Sequence, residues 1–135
     1  MNLKSMNLAF RFILEIISLI VFGSWGFSLA QSWLRFFGMI GVPAAAAALW
    51  GIFAVRDDPS RSGKAPVPVP GWLRLILELI FFASAVWMLN SLGRTTSSWM
   101  LGAAVLLHYS FSWERIRWLL KSQPAQTGSR PSAED

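Results

Sequence analysis

The chain has 135 residues, of which 54% are apolar and only 14% charged, against roughly 25% charged in an average soluble domain. Its net charge of +5 formally admits a nucleic-acid partner, but the placement of the basic residues, given below, accounts for that charge without one. The sequence has no Cys, which excludes a disulfide framework, a thiolate nucleophile and a Cys metal site, and its single histidine, His108, excludes a histidine metal cluster within one chain.

A bilayer core about 30 Å thick needs roughly 20 predominantly apolar helical residues. The chain offers four such runs, at 8–29, 34–55, 72–92 and 97–119. The first follows Lys4, and Ser28-Leu29-Ala30 resembles a signal-peptidase site. Arg11 and Glu15 inside the run, and its length, favour a membrane span over a leader. In the second run Gly38, Gly41 and Ala45 let a neighbouring helix approach closely, while Pro43 leaves one carbonyl without its helical donor. The loop 56–71 carries Pro59, Pro66, Pro68 and Pro70 and is expected to be an extended connector, polyproline-like over 65–70. The short separators 30–33 and 93–96 make adjacent helices antiparallel hairpins. The expected fold is therefore all-α: a four-helix transmembrane domain over 1–121, made of two repeated antiparallel hairpins, with a polar, disordered tail at 122–135.

Short loops rich in Lys and Arg stay in the cytoplasm. Lys4, Arg11, Arg56, Arg61, Lys64, Arg74, Arg115, Arg117, Lys121 and Arg130 lie on one side, against Arg35 and Arg94 on the other. This places both termini and the middle loop inside, in a multi-pass protein of a bacterial inner membrane, with anionic lipids as natural partners. Trp33, Trp72, Trp99 and Trp118 fall near span ends, where indoles prefer the interface.

Residues 10–16, Phe-Arg-Phe-Ile-Leu-Glu-Ile, recur at 73–79 as Leu-Arg-Leu-Ile-Leu-Glu-Leu, and the same shift superposes Trp50 on Trp113. Two parallel copies of a hairpin are implied, related by an axis along the membrane normal. Within each copy Arg and Glu are one helical turn apart and share a face, with each Glu about 10 Å inside its span at 1.5 Å per residue. A carboxylate there costs on the order of 2.5 kcal/mol or more unless paired, hydrated or protonated. Two readings stay open. Arg11 and Arg74 neutralise Glu15 and Glu78, within or across the copies, and clamp the bundle. Otherwise the carboxyls line a polar chamber that binds a proton, a small cation or a hydrophobic ligand. His108 and Ser112 share a helix face and are candidates for that chamber, with Trp50 and Trp113 beside it; Ser18 bonds back to its own helix or extends the polar stripe.

No nucleophile elbow, Walker loop, zinc-protease signature or dinucleotide fingerprint occurs, so an enzyme is the least favoured class, and no cofactor or metal is expected. Asn7, Arg11, Phe12, Glu15, Trp25-Gly26, Pro43, Trp50-Gly51, Phe53, Asp58-Pro59-Ser60-Arg61 and Arg74 to Glu78 form an ordered set across about residues 7 to 118. In that set the chain resembles the YrdB family, small bacterial membrane proteins whose shared domain has no established function. The resemblance implies a four-helix membrane bundle and says nothing of substrate. Small multidrug transporters are also short four-span proteins with a Glu in the first span, but the second Glu in span three and the lack of a glycine-rich third helix depart from them. Two functions follow: a small transporter or ligand-binding protein that uses the inner-leaflet carboxylates, with proton coupling and a homodimeric state expected, or a structural or accessory subunit of a larger membrane complex.

Overall fold

The computed structural model describes residues 2–55 and 66–121; the 56–65 part of the expected loop 56–71, and the expected tail 122–135, lie outside the described residues. Helix α1 (Leu3–Ser28) starts at Asn2, whose side chain accepts the Ser5 backbone N–H at 2.9 Å. This cap lets the helix begin five residues before the expected span, because it satisfies one of the donors that the first turn leaves unpaired. Helix α2 (Arg35–Ile52) continues through Pro43 as one helix. Proline removes the donor for the Met39 carbonyl, and that carbonyl lies against Gly23 of α1, where an added Cβ would stand 3.1 Å from it.

The second span was expected to reach residue 55, but α2 stops at Ile52 and Phe53–Ala54 forms a short strand β1. β1 pairs in parallel with β2 (Val67–Pro68), with Phe53 opposite Val67 and Ala54 opposite Pro68. The Val69 N–H donates to the Ala54 carbonyl at 2.9 Å. The prolines that keep residues 66–70 extended thus hold a strand that ends α2 early. Helix α3 (Gly71–Ser91) follows from Pro70. It turns into α4 (Thr95–Phe111) through Gly93, at φ +80°, a left-handed conformation that glycine adopts without steric cost.

The expected fourth span, 97–119, is broken. Helix α4 ends at Phe111 and, after Ser112, α5 (Trp113–Lys121) begins. The Ser112 hydroxyl donates to the His108 carbonyl at 2.7 Å and accepts from the Asn7 side chain at 2.7 Å. Serine thereby offers the backbone a local alternative to continued helix. The residues beyond it, which include Glu114, Arg115, Arg117 and Lys121, are too polar to extend an apolar span. Among the described residues three helices, α1, α2 and α3, are long and apolar enough to cross a membrane.

The core forms where α1, α3 and α4 face one another. Leu14 and Phe22 of α1 meet Phe81, Phe82 and Ala85 of α3, and Leu101 and Val105 of α4. Phe22, Phe81 and Phe82 join edge to face, with ring centroids 5.1 and 5.2 Å apart, the arrangement that the ring quadrupole favours. α2 packs on α1 through backbone, because Gly26 and Gly38 meet with no room for a Cβ on either. Gly38 thus makes the close approach that its sequence context predicts, whereas Gly41 faces open space. At the other end of the bundle Gly71 lies directly on the Leu119 backbone of α5, which seats α5 across the start of α3.

The contact between Gly26 and Gly38 has no tolerance, so Gly26→Ala should destabilise the protein by about 1–3 kcal/mol, as overpacking does. Gly41→Ala should be neutral, or stabilising by up to about 1 kcal/mol. Unfolding in mixed micelles, followed by helicity, distinguishes the two, and equal effects would mean that the helices do not cross at Gly26.

Candidate functional site

The repeated Arg and Glu residues meet at the end of the bundle where α1 begins and α2 ends. Arg11 and Arg74 are each one turn before their own Glu, so a 3.6-residue period brings each pair onto one face. Arg11 Nε donates to Glu15 Oε1 at 2.9 Å, and its Nη2 reaches across to Glu78 Oε1 at 2.8 Å. Arg74 Nε approaches Glu78 Oε1 at 3.3 Å. Arg115 of α5 adds a third guanidinium, its Nη2 2.6 Å from the same oxygen. The Tyr109 hydroxyl of α4 donates to the other carboxylate oxygen, Oε2, at 3.1 Å. Glu78 is 1% exposed, and both its oxygens are engaged by groups from α1, α3, α4 and α5.

Arg74 also joins α3 to the end of α2. Its Nη1 donates to the Trp50 carbonyl at 2.7 Å and to the Phe53 carbonyl, two acceptors that a helix C-terminus leaves without intrahelical partners. A cation there also complements the negative end of the helix dipole. The guanidinium lies 4.1 Å from the Trp50 ring centroid, with that of Arg11 at 5.5 Å. Trp50 thus acts as a platform for two cations, an arrangement stabilised by the quadrupole of the indole face.

The two carboxyls are not equivalent. Glu15 keeps a fifth of its side chain exposed and bonds through Oε1 to Arg11. They do not face each other across a wet chamber, since Arg11 stands between them and bonds to both. Of the two expected pairing schemes the structure combines parts. Arg11 pairs within its copy and across to Glu78, whereas Arg74 pairs with its own Glu78.

His108 is 2% exposed and packs between Phe10 and Tyr109, with ring centroids 6.0 and 5.1 Å away. Its Nδ1 is buried and has no hydrogen-bond partner among the described residues, so the histidine is not wired to either carboxylate as a relay requires. Ser112 bonds to Asn7 and to its own helix, outside the Glu78 shell. Trp113 stands apart, 58% exposed, with Arg117 at 5.4 Å from its ring. Ser18 bonds back to the Leu14 carbonyl at 2.8 Å.

Sequence reasoning missed two members of the cluster. Arg115 counts there only as a loop charge, yet 108, 112, 115 and 119 follow helical spacing, and all four are buried or reach the cluster. Continuing the His108 and Ser112 stripe by one step finds it. Tyr109 is the other, and no pattern in the sequence marks it as a donor to Glu78.

With three cations on one buried carboxylate, Glu78→Gln leaves several guanidiniums uncompensated. It should cost about 3–5 kcal/mol, the range for breaking a buried ion pair. Glu15→Gln, removing a partly exposed partner one turn away, should cost under about 1 kcal/mol. Unfolding of the two variants in mixed micelles checks this, and equal losses would refute the asymmetry.

The profile of a family described as "Protein of unknown function (DUF2568)" matches residues 9–106, the span that holds both Arg and Glu pairs and Trp50. The chain is 38% identical over 119 residues to the uncharacterized protein YrdB of Bacillus subtilis (strain 168), covering 88% of this chain and 97% of that one. No solved structure matches the chain. The family match over most of the chain, together with the YrdB relative, places this protein in the DUF2568 family, whose function is unknown.

Proposed function

We propose that the chain is an integral membrane protein crossing the bilayer four times, whose Arg and Glu residues serve structure rather than transport. The outward surface carries the first part of this reading. Ile20, Phe37, Ile40 and Leu106 are each more than 60% exposed, and α2 has no buried residue in all its 18. Large apolar side chains exposed on three helices are poorly suited to water and suit a lipid surround. α4, with 17 residues, falls at the short end of what spans a bilayer; the break at Ser112 then leaves α5 at the membrane surface. In this reading both termini and the Pro-rich loop are cytoplasmic, as the bias in Lys and Arg requires.

The single observation that favours a structural role is the saturation of Glu78 by three guanidiniums and a phenol. A carboxylate with no free oxygen is poorly placed to take up a proton or a cation. An accessory subunit that presents apolar helix faces to a partner fits this better than a cation carrier. A second reading, ligand binding at Glu15, draws its support from the exposed fifth of that side chain.

The lack of native cysteine allows a direct test of topology. Single cysteines at Ser32 and Gly93 should react with an impermeant maleimide on intact cells. Cysteines at Ser60 and Ser122 should react only after permeabilisation. Labelling of Ser122→Cys from outside would remove the fourth span. For the role of the cluster, proton-driven uptake into vesicles that disappears in a Glu78→Gln protein of wild-type stability would contradict the structural reading.

A further inference from the structure

α2 packs on α1 and α3 packs on α4, but α2 and α3 diverge from one another. Between them lies an apolar cleft of about 250 Å3, with Val42, Ala46 and Trp50 on one wall, Ser84 and Met88 on the other and Phe22 as the floor. The Trp50 end is stopped by Arg74, which stacks on the indole, and by β1 and β2, which tie the end of α2 to the start of α3. The opposite end lies toward the first turn of α2, where Arg35 stands. Arg35 is seven residues before Val42, close to two full turns, and so lies on the same helix face. Its guanidinium carbon is 4.2 Å from the Phe27 ring centroid, and its Nε is buried with no acceptor among the described residues. The connections at that end, 29–34 and 92–94, contain no acidic residue.

We propose that the cleft holds one acyl chain of an anionic phospholipid, with its phosphate at Arg35 and its methyl end against Trp50. The inference rests on the bilayer-spanning reading above and goes beyond it by naming an occupant. Three observations point to a lipid chain. Length is the first: fifteen residues separate Arg35 from Trp50, about 22 Å along the helix. One leaflet of a bilayer offers about 15 Å of hydrocarbon and roughly 5–7 Å of head-group layer, so the head-group contact and the stop at Trp50 fall where one lipid places its two ends. Lining is the second: apart from Ser84 the walls are aliphatic and aromatic, which suits a hydrocarbon chain rather than a polar ligand. Charge is the third, because Arg35, two turns before Val42 on the same helix face and with no acceptor for its Nε among the described residues, complements a phosphodiester.

Native mass spectrometry of the full chain, extracted in detergent and exposed to micelles doped with phosphatidylglycerol and phosphatidylcholine of matched chains, tests this. The wild-type monomer should retain one phospholipid and favour phosphatidylglycerol about five-fold, the effect of one cation near an anionic head group. Arg35→Gln should keep a bound lipid but bring the two classes to parity. Arg94→Gln, removing an exposed cation at the same end of the bundle, should behave as wild type. Ala46→Phe should fill the cleft and reduce retention of both lipids about ten-fold or more, the loss of roughly two buried methylenes. Ser84→Phe, from the facing wall, replaces it where Ala46→Phe melts below wild type. A membrane-extracted monomer with no retained lipid, a wild-type preference unchanged by Arg35→Gln, undiminished retention in a folded cleft-filling variant, or a dimer in place of the lipid-bearing monomer would each overturn the proposal. Recovery of the chain in the soluble fraction without detergent would instead overturn the bilayer-spanning reading itself.

Discussion

The carboxylate of Glu78 is the point on which the rest of the structure depends. A lone carboxylate moved into an apolar interior is costly enough that it would ordinarily take up a proton. Here Arg11, Arg74 and Arg115 converge on one of its oxygens and Tyr109 donates to the other. These partners come from α1, α3, α5 and α4, so the burial of a single side chain fixes the mutual placement of four helices. Arg74 extends the same constraint to α2 through the Trp50 and Phe53 carbonyls. The charged layer therefore supplies at one end of the bundle what apolar packing cannot: in lipid, apolar surfaces have no hydrophobic drive to choose one neighbour over another. The opposite end relies on the glycine crossing of α1 and α2 and on the aromatic cluster around Phe22.

The internal repeat takes its meaning from this asymmetry. Both copies carry the same Arg-x-x-x-Glu turn, yet the second Glu is enclosed and the first is partly exposed. The difference arises in the second helix of each copy. In the first copy α2 ends against β1 and delivers Trp50 and two carbonyls beneath Arg74. In the second copy the helix breaks at Ser112, and α5 delivers Arg115 instead, leaving Trp113, the counterpart of Trp50, on the surface. The two similar Arg-x-x-x-Glu turns thus form one buried hub with a flanking ion pair.

Much of this was legible in the chain itself, for identifiable physical reasons. Arg11 and Glu15, and Arg74 and Glu78, lie one helical turn apart within apolar runs, and such charges have few options other than each other. Gly38 and the prolines of residues 66–70 signal close packing and extended backbone through local sterics, which need no tertiary knowledge. The break at Ser112 was hidden because a serine inside an apolar run can bond to its own helix without ending it; here Asn7, 105 residues away, helps to hold it at the break. Arg115 was hidden likewise, since a cation beyond a span normally meets solvent, and only the seating of α5 on Gly71 turns it inward. The cleft between α2 and α3 has no sequence signature at all, because it reflects how two apolar helices diverge rather than what they contain.

If Glu78 and the arginines around it act as one clamp, a double-mutant cycle between Glu78→Gln and Arg115→Gln, read as unfolding free energy in mixed micelles, will show it. Residues within one ion-pair network show coupling of about 0.5–3 kcal/mol. A coupling of about 1 kcal/mol or more is expected, with the double variant less impaired than the sum of the single ones. Strictly additive losses would show that α5 is held by its apolar contacts alone and that Glu78 is not the hub.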